Sequence, residues 1–221
     1  MKNYKIINPD TWNRKSTYLW FSSFANPCYG MDVKIDVTKV LAYSHEHKSS
    51  FFINFLFVLV KSLNQCEAMR LCIVNNQIRL YDTINPTYTV LTKDKTFENG
   101  GIQMEEDYQA FYQKCHENIE SIKEKKVIKD TYNGNNQYND YYCTCTPWLD
   151  YISMTHPIPS GDIESLSVPR ICWGKYSFED DKVVLTLNIT VSHALVDGYA
   201  LCEAFNIIRD NMQNIERFGL K

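Results

Sequence analysis

The stretch Val183–Met212, VVLTLNITVSHALVDGYALCEAFNIIRDNM, decides how this chain is read. Its first part, Val183 to Val191, alternates in the period-two pattern of a strand. Its last part, Tyr199 to Met212, has the spacing of a helix. Between them lie His193, Ala194, Leu195, Val196, Asp197 and Gly198. A histidine that leaves a strand just before a tight turn presents its imidazole at a cleft. Its unperturbed pKa lies nearest neutrality, which suits it to general-base work. Asp197 can take a structural charge partner inside the turn. Gly198 permits backbone angles that other residues resist. HxxxDG has few fixed letters and arises by chance, so its strand–turn–helix setting carries the information.

Working outward, 221 residues with 44% hydrophobic and 22% charged side chains describe an ordinary soluble globular chain. The net charge of −3 excludes a strongly basic nucleic-acid binder. The Lys123–Lys129 cluster is interleaved with Glu124, Val127 and Ile128 and reads as a solvated helix face. The start, MKNYKIINPDTW, has no apolar core of a signal peptide. The longest apolar run, Phe51 to Val60, is about 10 residues and too short to span a bilayer. A cytoplasmic protein with no membrane partner is expected. The eight cysteines lack paired CxxC spacing, and Cys143 and Cys145 point to opposite faces of a strand. Reduced, mostly buried thiols and no metal site are expected.

Asp36 or Thr38 can cap a helix running to about His47, and Ser49 or Ser50 a second, buried one over Phe51–Gln65. Leu71–Val74, Asn75-Asn76 and Gln77–Tyr81 read as a tight hairpin. Tyr88–Thr92 and Tyr141–Cys145 read as strands. Glu105–Lys126 has helical periodicity, and 130–139 is a polar loop. Ile171–Phe178 and Lys182–Val191 read as a second hairpin turning at Glu179-Asp180-Asp181. With no internal repeat or linker, one α/β domain with a mixed sheet, residues 1–221, is expected.

These residues, taken in order, resemble type A chloramphenicol acetyltransferases along nearly the whole chain. Trp12-Asn13-Arg14-Lys15, the spacing from Arg14 to Asp36, and Pro86-x-Tyr88-Thr89-Val90 carry the likeness. So do Thr144 to Trp148, Gly174-Lys175-Tyr176 and Ser192 to Gly198. The resemblance implies an α+β two-layer sandwich, with a mixed β-sheet and helices packed on one side. It implies a homotrimer with active sites at subunit interfaces, and acetyl transfer from acetyl-CoA to a hydroxyl without metal.

By the same resemblance His193 is the general base, and Thr144 stands where the family has an oxyanion-stabilising serine. Asp197 is structural and pairs with Arg14, while Lys175 lies near the CoA phosphates. The acceptor pocket maps to Trp20, Phe21, Ala25, Tyr29, Phe97, Met154, His156 and Arg170. Chloramphenicol is the acceptor so implied, with antibiotic resistance as the role. His156 and Arg170 are polar where the family is small, aromatic or aliphatic. They suit a more polar hydroxyl acceptor, or they point away or pair with Asp150 or Glu164. A different class of reading is a non-catalytic small-molecule binder that retains the fold. HxxxDG also occurs in dihydrolipoyl acyltransferase cores, but this chain has no room for their additional domains.

Overall fold

The computed structural model describes residues 3–124 and 138–221. The lysine-rich segment beyond residue 124 and the loop read over 130–137 lie outside the described residues. The chain runs through β1 (Tyr4–Ile7), α1 (Lys15–Phe21), β2 (Cys28–Asp36), α2 (Thr38–Glu46) and α3 (Phe51–Gln65). It continues with β3 (Leu71–Val74), β4 (Gln77–Tyr81), β5 (Asn85–Leu91), β6 (Phe97–Gly101) and α4 (Tyr108–Lys123). The rest is β7 (Asp140–Thr146), α5 (Ile163–Ser167), β8 (Arg170–Gly174), β9 (Ser177–Glu179), β10 (Lys182–Ser192) and α6 (Gly198–Met212).

The main sheet has the order β2-β10-β8-β7-β5-β6, with β9 also paired to β10. β8, β7 and β5 are mutually parallel, and the remaining pairs are antiparallel, so the sheet is mixed. A separate three-stranded sheet, β1-β4-β3, was not expected from the sequence. It contains the anticipated hairpin, whose Asn75 and Asn76 both take left-handed angles (φ 51° and 57°). Asparagine tolerates such angles better than most residues, which makes a two-residue turn possible.

α3 begins as its sequence suggests. Ser50 caps it by accepting from the Ile53 amide. Its apolar residues point in every direction because it is enclosed. Phe52 packs on Tyr88 and Trp173, Phe55 on Trp173, and Phe57 on Phe111 of α4. Asn54, fully buried within the helix, donates to Ser44 and Ser49 and accepts from the Tyr108 hydroxyl, so it carries no unpaired polar cost. Tyr88 and Trp173 therefore mark the helix-bearing face of the main sheet, and α2, α4 and α6 flank α3 there.

β10 organises the sheet. Leu187 and Ile189 lie in register with Trp173 and Ile171 of β8, facing the helices. The alternate residues Thr186, Asn188, Thr190 and Ser192 are also buried. Asn188 lies under the chain segment that follows β7, its amide donating to the Met154 carbonyl at 3.3 Å. The strand read over Ile171–Phe178 is broken at Lys175–Tyr176. The Lys175 amide leaves the sheet ladder and bonds the Leu149 carbonyl at 2.9 Å. Gly174 makes that approach possible, since a Cβ there would lie 2.9 Å from the Leu149 oxygen. Gly174→Ala is expected to cost about 1–3 kcal/mol through this clash, read as a lower midpoint in denaturant unfolding. No helix among the described residues is long and apolar enough to cross a membrane. All eight cysteines are unbridged and most are buried.

Candidate active site

The His193 turn is wound by its own backbone and locked from outside. β10 ends at Ser192, whose carbonyl accepts from both Leu195 and Val196, while the His193 amide bonds the Pro27 carbonyl at 2.9 Å. The Arg14 guanidinium donates to the Leu195 carbonyl at 2.9 Å and lies 3.3 Å from the Asp197 carboxylate. Asp197 in turn caps α6 by accepting from the Ala200 amide at 2.9 Å. One planar, forked cation thus holds the turn at two points, and the carboxylate it grips also starts the helix. Gly198 departs from the sequence reading. It is the first residue of α6, its φ is not left-handed, and a Cβ there would meet nothing within 4 Å. The turn does not need glycine for its backbone angles.

The imidazole rests on aromatic rings. Phe21 stacks on it at 3.8 Å and 15°, and Tyr29 lies 4.6 Å away. Trp20 and Phe24, both exposed, extend this shelf against Phe21. Phe24 was missed by the sequence reading although it lies in the same aromatic run. Burial, reinforced by the nearby Asp197 charge, pushes the Tyr29 phenol up to about 12. It therefore stays protonated at neutral pH and donates to the Val196 carbonyl. His193 Nδ1 is buried with no hydrogen-bond partner among the described residues.

Thr144 occupies the opposite face of the sheet from the helices. It is in register with Cys172, which is in register with Asn188, which faces Asp32. On its other side Thr89 of β5 meets it hydroxyl to hydroxyl at 2.7 Å, and Thr89 pairs with Asn99 of β6. A polar row therefore crosses the sheet. Its Cys172–Asp32 half is covered by the segment after β7: the Tyr151 hydroxyl bonds the Cys172 carbonyl, and Ser153 bonds Asp32.

The remaining acceptor-pocket candidates divide among several places. Ala25 is exposed in the loop between α1 and β2. Met154 and His156 lie over Asn188. Burial holds the His156 pKa below its ordinary value, against the opposing pull of Asn188 and Asp32. Its Nε2 is buried without a partner among the described residues. Arg170 is buried but satisfied within the chain, donating to the Val168 carbonyl and the Ser165 hydroxyl and lying over the Tyr142 ring. It pairs with neither Asp150 nor Glu164; Glu164 accepts instead from the Asn75 amide. Phe97 is exposed on β6, the sheet edge opposite β2.

Lys175 is exposed and has no ion-pair partner among the described residues. It lines a cavity of 320 Å³ with Phe51, Trp148, Trp173 and Tyr176, and that cavity reaches Thr89. An unpaired cation at the mouth and aromatic walls inside suit a long ligand with an anionic end. No group of His, Cys, Asp and Glu among the described residues could hold a metal.

Within one chain, His193 and Thr144 do not form a site. Thr144 is level with Asn188 two strands away, and His193 lies five residues further along β10. At about 4.8 Å per strand and about 3.3 Å per residue, the two backbones are roughly 19 Å apart. A general base and an oxyanion donor serving one reaction must both lie within about 3 Å of the reacting atoms.

Comparison with known proteins bears on both halves. The family model described as chloramphenicol acetyltransferase matches residues 2–209. The chloramphenicol acetyltransferase of Bacillus pumilus is 25% identical over 192 residues, covering 86% of this chain and 85% of that protein. A solved chloramphenicol acetyltransferase superposes with a TM-score of 0.85 at 21% identity, over 95% of this chain and 99% of that one. The dihydrolipoamide acetyltransferase of Azotobacter vinelandii follows the same fold more loosely, with a TM-score of 0.69 at 16% identity over 92% and 88%. The match takes in the Arg14 helix, the Thr144 strand and the locked His193 turn alike, and the chain belongs to the chloramphenicol acetyltransferase family.

Proposed function

We propose that this chain is an acetyl-CoA-dependent O-acetyltransferase with chloramphenicol as its acceptor. It would act as a single-domain, cytoplasmic homotrimer with a role in antibiotic resistance. The observation that carries the reading is the His193 imidazole, held on an aromatic shelf by a turn that Arg14 and Asp197 lock. A free alcohol is a weak nucleophile at neutral pH, so it needs a base within hydrogen-bond reach. His193 removes the acceptor hydroxyl proton as that oxygen attacks the thioester carbonyl. Thr144 donates to the resulting oxyanion. When the tetrahedral intermediate collapses, the carbon–sulfur bond breaks and the CoA thiolate takes the proton back from His193. The Lys175 cavity suits the CoA chain, and it reaches Thr89, whose hydroxyl meets that of Thr144.

The separation of His193 from Thr144 supports assembly. A head-to-tail contact that brings one copy's His193 to the next copy's Thr144 is heterologous, and it gives a ring where its rotation closes. We take that ring to be a trimer, as the family resemblance implies. The experiment is thiol release from acetyl-CoA in the presence of chloramphenicol, run on the parent, His193→Ala, Thr144→Ala, and an equal mixture of the two variants unfolded and refolded together. The parent is expected to turn over and each variant to lose most activity. The mixture should recover about a quarter of parental activity, because each shared site draws its two halves independently. No recovery would mean that both residues serve one chain.

A second reading keeps the chemistry and changes the acceptor. The unpartnered buried Nε2 of His156 favours an acceptor that offers it a hydrogen bond. A parent that binds CoA but ignores chloramphenicol, and acetylates a more polar alcohol, would select it.

A further inference from the structure

We infer that Thr89 is a positioning residue for acetyl transfer: its hydroxyl donates to Thr144 and thereby leaves the Thr144 proton free for the oxyanion. The inference rests on the role given to Thr144 above and concerns a residue that the sequence reading used only as part of a motif. The two threonines come from neighbouring parallel strands, one residue beyond the paired Tyr88 and Cys143. Their hydroxyl oxygens are 2.7 Å apart, and no other hydrogen bond to either is present among the described residues. Thr89 also lines the cavity that holds Lys175.

A hydroxyl has one proton and two acceptor lone pairs. Only one proton lies between two hydroxyls this close. If Thr144 donates it, Thr144 turns a lone pair toward the developing oxyanion, which repels. If Thr89 donates it, Thr144 keeps its own proton for the oxyanion, and accepting a bond polarises that O–H further. The arrangement also answers the replacement of a serine by Thr144. The β-branched side chain has few rotamers, and the hydroxyl it presents is met by Thr89 on the next strand. No covalent bond is made or broken at either threonine, and neither loses its proton during the cycle.

The test is steady-state thiol release with acetyl-CoA and chloramphenicol for the parent, Thr89→Val, Thr89→Ser, Thr144→Ala and the Thr89→Val/Thr144→Ala double variant. Thr89→Val keeps shape and removes the donor. It is expected to lower kcat about tenfold, the size of one neutral hydrogen bond, with KM for both substrates within about twofold. Thr89→Ser should restore at least half of parental kcat. In the Thr144→Ala background the Val substitution should add no further loss. Thr89→Ala serves if the Val variant does not give a parental melting curve. A Thr89→Val enzyme with parental kcat overturns the inference, as does a rise in KM alone or an equal loss without Thr144. If the parent itself releases no thiol with any hydroxyl acceptor, the acetyl-transfer reading fails first and takes this one with it.

Discussion

Replacing His193 by alanine is expected to lower kcat by about 10²–10⁴-fold, the range for a positioned general base. The KM for chloramphenicol and for acetyl-CoA should change little. The reason lies in how the side chain is held. His193 stacks on Phe21 and lies against Tyr29, and its backbone amide is tied to Pro27. Removal of the ring deletes the proposed base while Arg14 and Asp197 still define the turn. The variant should therefore fold and bind both substrates. Stopped-time thiol release checks the rate, and equilibrium binding of CoA checks that the fold survives. Equal kcat in parent and variant would remove His193 from the chemistry. A stable acetylated residue found by mass spectrometry of the parent would replace direct transfer with an acyl-enzyme route.

Arg14→Ala is expected to damage both activity and stability. The substitution removes the donor to the Leu195 carbonyl and the partner of Asp197 together. Arg14 and Asp197 side chains are 23% and 35% exposed, so water partly compensates, and the penalty is below that of a fully buried pair. A loss of about 1–3 kcal/mol follows from one charged hydrogen bond plus the weakened pair. In a chain of this size that lowers Tm by on the order of 5 °C. The turn then loosens, His193 samples unproductive positions, and kcat falls about 10²-fold, as displacement by about 1 Å can cause. Arg14→Lys should recover only part of this, because a point charge cannot reach the carbonyl and the carboxylate as a fork does. Scanning calorimetry and thiol-release kinetics on the same samples read both effects. Parental stability and turnover in Arg14→Ala would leave the Asp197 cap alone as the support of the turn.

Local signals made much of the architecture legible. The Ser50 cap and the all-round apolar surface of α3, the Asn75-Asn76 turn, and the alternation of β10 each report a short-range preference that the fold does not oppose. β2 was missed, although Tyr29, Met31, Val33 and Ile35 alternate along it. It is a sheet edge, only partly buried, and Gly30 and Asp32 lower the strand propensity of the run although they keep its alternation. The short α1 and α5 have too few turns to show a period. The break at Lys175 was illegible because its cause, the Leu149 carbonyl, is distant in sequence.

The candidate site divides along the same line. The sequence by itself determined that His193 leaves a strand and enters a helix-starting turn, because strand, turn and helix are contiguous and each follows from neighbouring residues. Resemblance, again from sequence, linked Arg14 to Asp197. Only the tertiary structure decided that Arg170 is satisfied by Val168 and Ser165, that Thr89 meets Thr144, and that Thr144 lies two strands from β10, which leads into His193. Those facts depend on strand order and register. These set which side chains meet across the sheet, and they are fixed by long-range packing against α3 rather than by any local run of residues.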